Sequence, residues 1–254
     1  MMKSYTLIPR SFRWMLVLVV VYLLGGCSAK IHCWSEESFR SNDFNEEKLQ
    51  KEGLAILPVI ILDHSIETPT GMGSPHPSAP YAPAPGKSAK DGSVTVLSQE
   101  SYQVILNEIL IGKIQTKRPS FKLMPPGDVL MRLNDKNMPC DFRRFSKNFT
   151  KSGPEPEQLK CFSKALNSRY LFISQGAVTE YKSDASVTFI WSFGRKSIIR
   201  SVNLYGQVWD TKQEKQIWDG FGVGYQRLSA YEGSALFEQM ANTAVESLLK
   251  TFIP

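Results

Sequence analysis

Four cysteines and three histidines carry the most reactive side chains of this 254-residue chain. Cys27 follows Leu24-Gly25-Gly26 and closes an unbroken apolar run of ten residues, Met15 to Leu24. A thiolate is a strong nucleophile, and two glycines in front of it leave the backbone open to close approach. His32 neighbours Cys33, His64 sits in Asp63-His64-Ser65, and His76 lies among prolines. Asp63-His64-Ser65 collects the residue types of a proton relay, but neighbours in an extended chain point to opposite faces and cannot build one. CxxC and HExxH spacings are absent, and the acids are scattered over turns and helix starts, where they solvate or cap. The sequence therefore names no catalytic residue, no metal ligand and no cofactor, and predicts a non-enzyme.

The residues ahead of Cys27 say how that thiol is used. Lys3, Arg10 and Arg13 precede the apolar run, and the first acid is Glu36. A spanning helix needs about 20 apolar residues, so this run fits a secretory signal peptide instead. Leu24-Gly25-Gly26-Cys27 resembles the lipobox of bacterial lipoproteins. The resemblance implies cleavage between Gly26 and Cys27, with diacylglycerol and an N-acyl chain carried on Cys27. Ser28, where an Asp would favour inner-membrane retention, implies the outer membrane, facing the periplasm. One acyl chain binds a bilayer only marginally and two or more bind it stably. The chain then divides into a signal peptide, 1–26, a lipidated tether, 27–44, polar but with Trp34 and Phe39 as candidate docking points, and a periplasmic domain, 45–254.

Removing 1–26 takes three bases and no acids from the 30 and 24 of the whole chain, leaving 27 against 24, a net charge of +3. Neither a basic stripe nor a recognised module points to nucleic acid. The remaining length can bury a sizeable core as one domain. Cys140 and Cys161 flank one helical segment: either they form a disulfide, which an oxidising periplasm permits, or they are two buried thiols. Cys33 is left over, free or bridging two copies.

Elements are needed to position these groups. The apolar run Leu54 to Leu62 predicts a strand buried on both faces, with Pro58 marking an edge or a bulge. Six prolines between Pro69 and Pro85 predict an extended or disordered insertion over 65–93. Tyr102, Ile105, Leu106, Ile109 and Leu110 predict a helix from Ser98 to Lys117. A short strand at 121–124, a helix at 127–133, and helices carrying Phe142, Phe145, Phe149 and then Leu159, Phe162, Leu166 follow. Strands are predicted at 170–181, 187–193, 197–209 and 216–225, then a helix to Phe252. Trp209 and Trp218 flank the polar turn 210–215 and are expected to pair across the hairpin. Gly220, Gly222 and Gly224 leave one strand face bare, open to a helix or an aromatic, while Phe221 and Val223 fill the other. The fold class is α/β (α+β): a single mixed sheet of about five strands, in the order β-α-β-α-β-β-β-α.

That order, with Leu54-Ala55-Ile56-Leu57-Pro58-Val59, Asn167-Ser168-Arg169-Tyr170-Leu171-Phe172 and Trp209-Asp210-Thr211-Lys212…Gln216-Ile217-Trp218-Asp219-Gly220, resembles a group of periplasmic α/β lipoproteins. These are grouped around CsgG, the amino-terminal domain of TolB, and LpoB. The resemblance implies a domain that binds envelope proteins or forms homo-oligomers. A CsgG-type pore uses two membrane hairpins per subunit; here 183–197 is one candidate, and the gap from Gly224 to Gly233 is too short for another. The reading is a lipid-anchored accessory protein working through protein contacts. The rivals are a secretion-channel subunit and an envelope hydrolase.

Overall fold

The computed structural model describes residues 31–62, 98–134, 140–183, 197–228 and 237–254. The signal peptide, the Pro-rich insertion and the strand expected at 187–193 lie outside these residues. One mixed sheet organises the chain: β1 (Ile31–Arg40), β2 (Leu54–Ile56), β3 (Ile60–Ile61), β4 (Leu123–Met124), β5 (Tyr170–Ser183), β6 (Ser197–Asp210) and β7 (Lys215–Leu228). The helices are α1 (Glu46–Glu52), α2 (Gln99–Lys117), α3 (Pro126–Leu133), α4 (Phe142–Ser152), α5 (Pro156–Leu166) and α6 (Phe237–Phe252). Strand order is β1-β7-β6-β5-β2-β4, with β3 also on β5. The β5–β6–β7–β1 pairs are antiparallel, and β2 is parallel to both β5 and β4.

The sheet has seven strands where about five were expected. Pro58 splits the run at 54–62 into β2 and β3, but β2 lies inside the sheet rather than at its edge. The ladder is patched at the break. Asn107 Oδ1 accepts from the Val59 N–H at 2.9 Å, and Gln103 Nε2 donates to the Val59 carbonyl at 2.7 Å, so two side chains of α2 replace a strand neighbour. The other addition is β1. Residues 31–40 of the expected tether are a sheet edge paired with β7 from Ile31↔Gln226 to Arg40↔Trp218. Exposed polar residues hide it in the sequence, because an edge strand buries only part of one face.

Helices α2 and α6 cover one face, over a core that includes Leu106, Leu110, Trp218, Phe172, Leu248 and Phe252. The three glycines of β7 are occupied by the chain's own α6: a Cβ on Gly222 would meet the backbone of Ala244 and Leu248, and one on Gly224 the Met240 carbonyl. Helices α3, α4 and α5 cover the opposite face only across β2 and the first part of β5, with Phe145, Leu159, Phe162 and Leu166 packed on Ala55, Leu57, Leu171 and Ile173.

The two tryptophans do not pair. A register shift between Val208 and Trp209 sets Val208 opposite Trp218 and Trp209 opposite Gln216. The inserted residue turns the rings to opposite faces. Trp218 is fully buried beside Phe252 and Phe172, while Trp209 packs on the α3–α5 layer.

Candidate interaction face

Beyond Trp209, no helix among the described residues covers the second face of β6, β7 and β1. Side chains alternate, so the face opposite the glycines carries Asp219, Phe221, Val223 and Tyr225 from β7. Register brings His32, Trp34 and Phe39 of β1 beside them. His32 stacks on Tyr225 at 5.1 Å between ring centroids, and Trp34 meets Phe221 edge-on at 5.5 Å. Trp34 and Phe39 are 36% and 45% exposed, which is unusual for rings of that size held in a sheet. Together they form an aromatic strip along β1 and β7, at one edge of the sheet.

Beside the strip runs a chain of bonded polar groups. Trp209 Nε1 donates to Gln207 Oε1 at 2.9 Å, Gln207 Nε2 donates to Tyr205 Oη at 3.1 Å, and Tyr205 Oη donates to Asp219 Oδ2 at 2.9 Å. Gln216 Nε2 also donates to Asp219 Oδ2. Burial pushes the Tyr205 phenol up to about 12; the Gln207 bond opposes this, and the Asp219 charge and bond add to it. Farther along, the Thr179 and Ser201 hydroxyls share a 2.6 Å bond, with Asn203 Nδ2 donating to Ser201 Oγ at 3.2 Å. One atom is left over: Asp219 Oδ1 is buried with no partner among the described residues. Such an atom is costly until a donor reaches it. The face is thus aromatic, with its polar groups bonded to one another and one buried acceptor unpaired among the described residues.

The sequence pointed to Trp34 and Phe39 as possible docking points and missed Tyr205, Gln207 and Asp219. Their i, i+2 spacing on strands is the signal that would have found them. Gly26 and Cys27 lie outside the described residues, as does Asp63-His64-Ser65. Cys140 and Cys161 are joined, with Cα atoms 5.8 Å apart, and Cys33 is an exposed free thiol. Among the described residues no group of three or more His, Cys, Asp or Glu side chains could hold a metal. A recess of about 340 Å³ beside α4 is lined by Asp141, Arg143, Arg144, Lys147 and Asn148 and is wide open to solvent.

The motifs that carry the family resemblance converge elsewhere, at the opposite end of the sheet from Ile31. Arg169 Nη2 and Nε donate to the Asp210 carboxylate at 2.7 and 3.0 Å, and Nη1 donates to Glu52 at 3.0 Å. Thr211 donates through both its N–H, at 2.9 Å, and its hydroxyl, at 2.8 Å, to the Arg169 carbonyl. These bonds fasten the β6–β7 turn to the start of β5, a structural use.

No protein-family model and no curated protein matches the sequence. Solved structures similar to the chain include a putative neuraminyllactose-binding hemagglutinin homolog from Helicobacter pylori, 12% identical over 85% of this chain and 87% of that one, with a TM-score of 0.39. Lipoprotein GNA1162 from Neisseria meningitidis is 10% identical over 78% of this chain and 97% of that one, with a TM-score of 0.37. The LpoB C-terminal domain from Salmonella enterica is 10% identical over 70% and 89%, with a TM-score of 0.32. Likenesses this distant assign neither a family nor a function to the chain.

Proposed function

We infer that this is a lipid-anchored, non-enzymatic accessory protein of the bacterial envelope that acts by binding another protein through the open face of β6, β7 and β1. The observation that carries the reading is that face: exposed Trp34 and Phe39 beside Phe221 and Tyr225, with polar neighbours already bonded to one another. Aromatic residues are enriched at protein interfaces, and groups ordered beforehand lose less entropy on binding. Cys27 supplies the membrane anchor, at the periplasmic side of the outer membrane.

A channel subunit of the two-hairpin type fits less well. Only eight residues, 229–236, separate Leu228 from Phe237, and two membrane strands of about 9–11 residues each do not fit there.

The test is photo-crosslinking in intact cells from position 223, half-buried on the strip, against position 104 on α2, which is exposed. A discrete adduct from 223 alone, lost in Phe221→Glu without a change in melting, supports the reading. Equal adducts from both positions, or none from 223, reject the face. Cys27→Ala should abolish palmitate labelling and membrane fractionation.

A further inference from the structure

The strand β1 begins at Ile31, four residues after Cys27. Four residues span at most about 14 Å when fully extended. The sequence alone suggested a lipidated tether of 18 residues, 27–44. The sheet takes up most of that length. What remains is a leash shorter than the domain it holds.

Ile31 stands in a row that crosses four strands, Ile31↔Gln226↔Arg200↔Glu180. Tyr170, Asp210 and Lys215 form the row at the other end. Ten residues of β5 separate the two rows, about 33 Å at roughly 3.3 Å per residue. The ends Ser183, Ser197 and Leu228 lie past the first row. Phe237, where α6 begins, is near it too: Met240, in the same turn, lies against Gly224. Tyr102, in the first turn of α2, packs on Phe237 at 4.6 Å. The Arg169–Asp210–Glu52 cluster marks the far end.

We propose that the end of the sheet carrying the Ile31–Gln226–Arg200–Glu180 row faces the bilayer, and that the 210–215 turn and the Arg169 cluster point away from it. The partner of this surface is the lipid headgroup layer. The aromatic strip then rises from the membrane along β1 and β7, so a partner protein meets it from the side. The proposal rests on the acylation of Cys27.

The experiment uses the full acylated chain in phosphatidylethanolamine–phosphatidylglycerol vesicles that contain a headgroup-linked energy acceptor. In a Cys33→Ser background, one donor dye is placed at Glu100→Cys, in the first turn of α2, and in a separate sample at Lys212→Cys, in the distal turn. Both native side chains are exposed. Transfer from position 100 should exceed transfer from 212 several-fold. A Gly/Ser insertion of about fifteen residues between Lys30 and Ile31 should bring the two together, because such a linker behaves as a flexible coil. Acylated protein with equal transfer from both positions overturns the orientation alone. A contrast that survives the insertion shows that the leash does not set it, and overturns the proposal as well. Absence of acyl label together with failure to float with vesicles overturns the lipidation reading, and this proposal with it.

Discussion

Tyr205 shows how much a single hydroxyl on the open face is constrained. Its oxygen accepts from Gln207 Nε2 and its proton is donated to Asp219 Oδ2, and burial raises its pKa to about 12 from the ordinary 10.0. Between about pH 10 and about pH 12 the folded chain keeps this proton while the unfolded chain releases it, so stability falls as pH rises through that window. Tyr205→Phe should make the fall shallower in urea melts across that range. Tyr170, whose phenol burial also raises, leaves a residual slope. An alkaline absorbance titration should lose one late-titrating phenol in the variant. An unchanged slope and an unchanged titration would show that Tyr205 is not the group responsible. None of this was legible beforehand, because a tyrosine's pKa depends on what faces it across two strands.

At the level of elements, helix positions were the most legible feature, since the 3.6-residue spacing of apolar side chains is local. The helix expected from Ser98 runs from Gln99, capped by the Ser98 hydroxyl, and buries Tyr102, Leu106, Leu110 and Ile114. The bare glycine face was legible as well, and α6 fills it. Gly222→Ala should therefore cost about 2–3 kcal/mol, because helix backbone rather than a movable side chain blocks the added methyl. Gly112→Ala, in the interior of α2 with open space around it, should instead stabilise by about 0.5–1 kcal/mol. Urea unfolding of both variants tests the pair, and a neutral Gly222→Ala would mean that α6 does not press on β7. Strand β1 was illegible because its partner β7 is remote in sequence, and the Trp209 register because one inserted residue in a local hairpin decides which face each ring takes.

For the whole molecule, the described helices cover one face of the sheet with α2 and α6 and part of the other with α3, α4 and α5, and that second layer holds the disulfide. Cys140 and Cys161 are 21 positions apart, and closing a loop of that size stabilises by about 3 kcal/mol on the chain-entropy model. Reductant should lower the urea midpoint by a corresponding amount, and Cys140→Ser with Cys161→Ser should remove the sensitivity to reductant. A midpoint that ignores reductant in the native chain would show that the bridge contributes nothing in solution.

By itself the sequence determined the α/β class, the helices with periodic apolar faces and the bare glycine face of β7, and it sets the expectation that Cys27 is acylated. Each of these depends on residues within a few turns of one another. Tertiary structure alone decided that 31–40 of the tether are a strand, that Trp34 and Phe39 share a face with Phe221 and Asp219, and that no helix among the described residues covers half of one sheet face. Those outcomes depend on pairing between β1 and β7, nearly 200 positions apart at Ile31 and Gln226. Strand register of this kind is set by the packing of the finished sheet rather than by any local pattern.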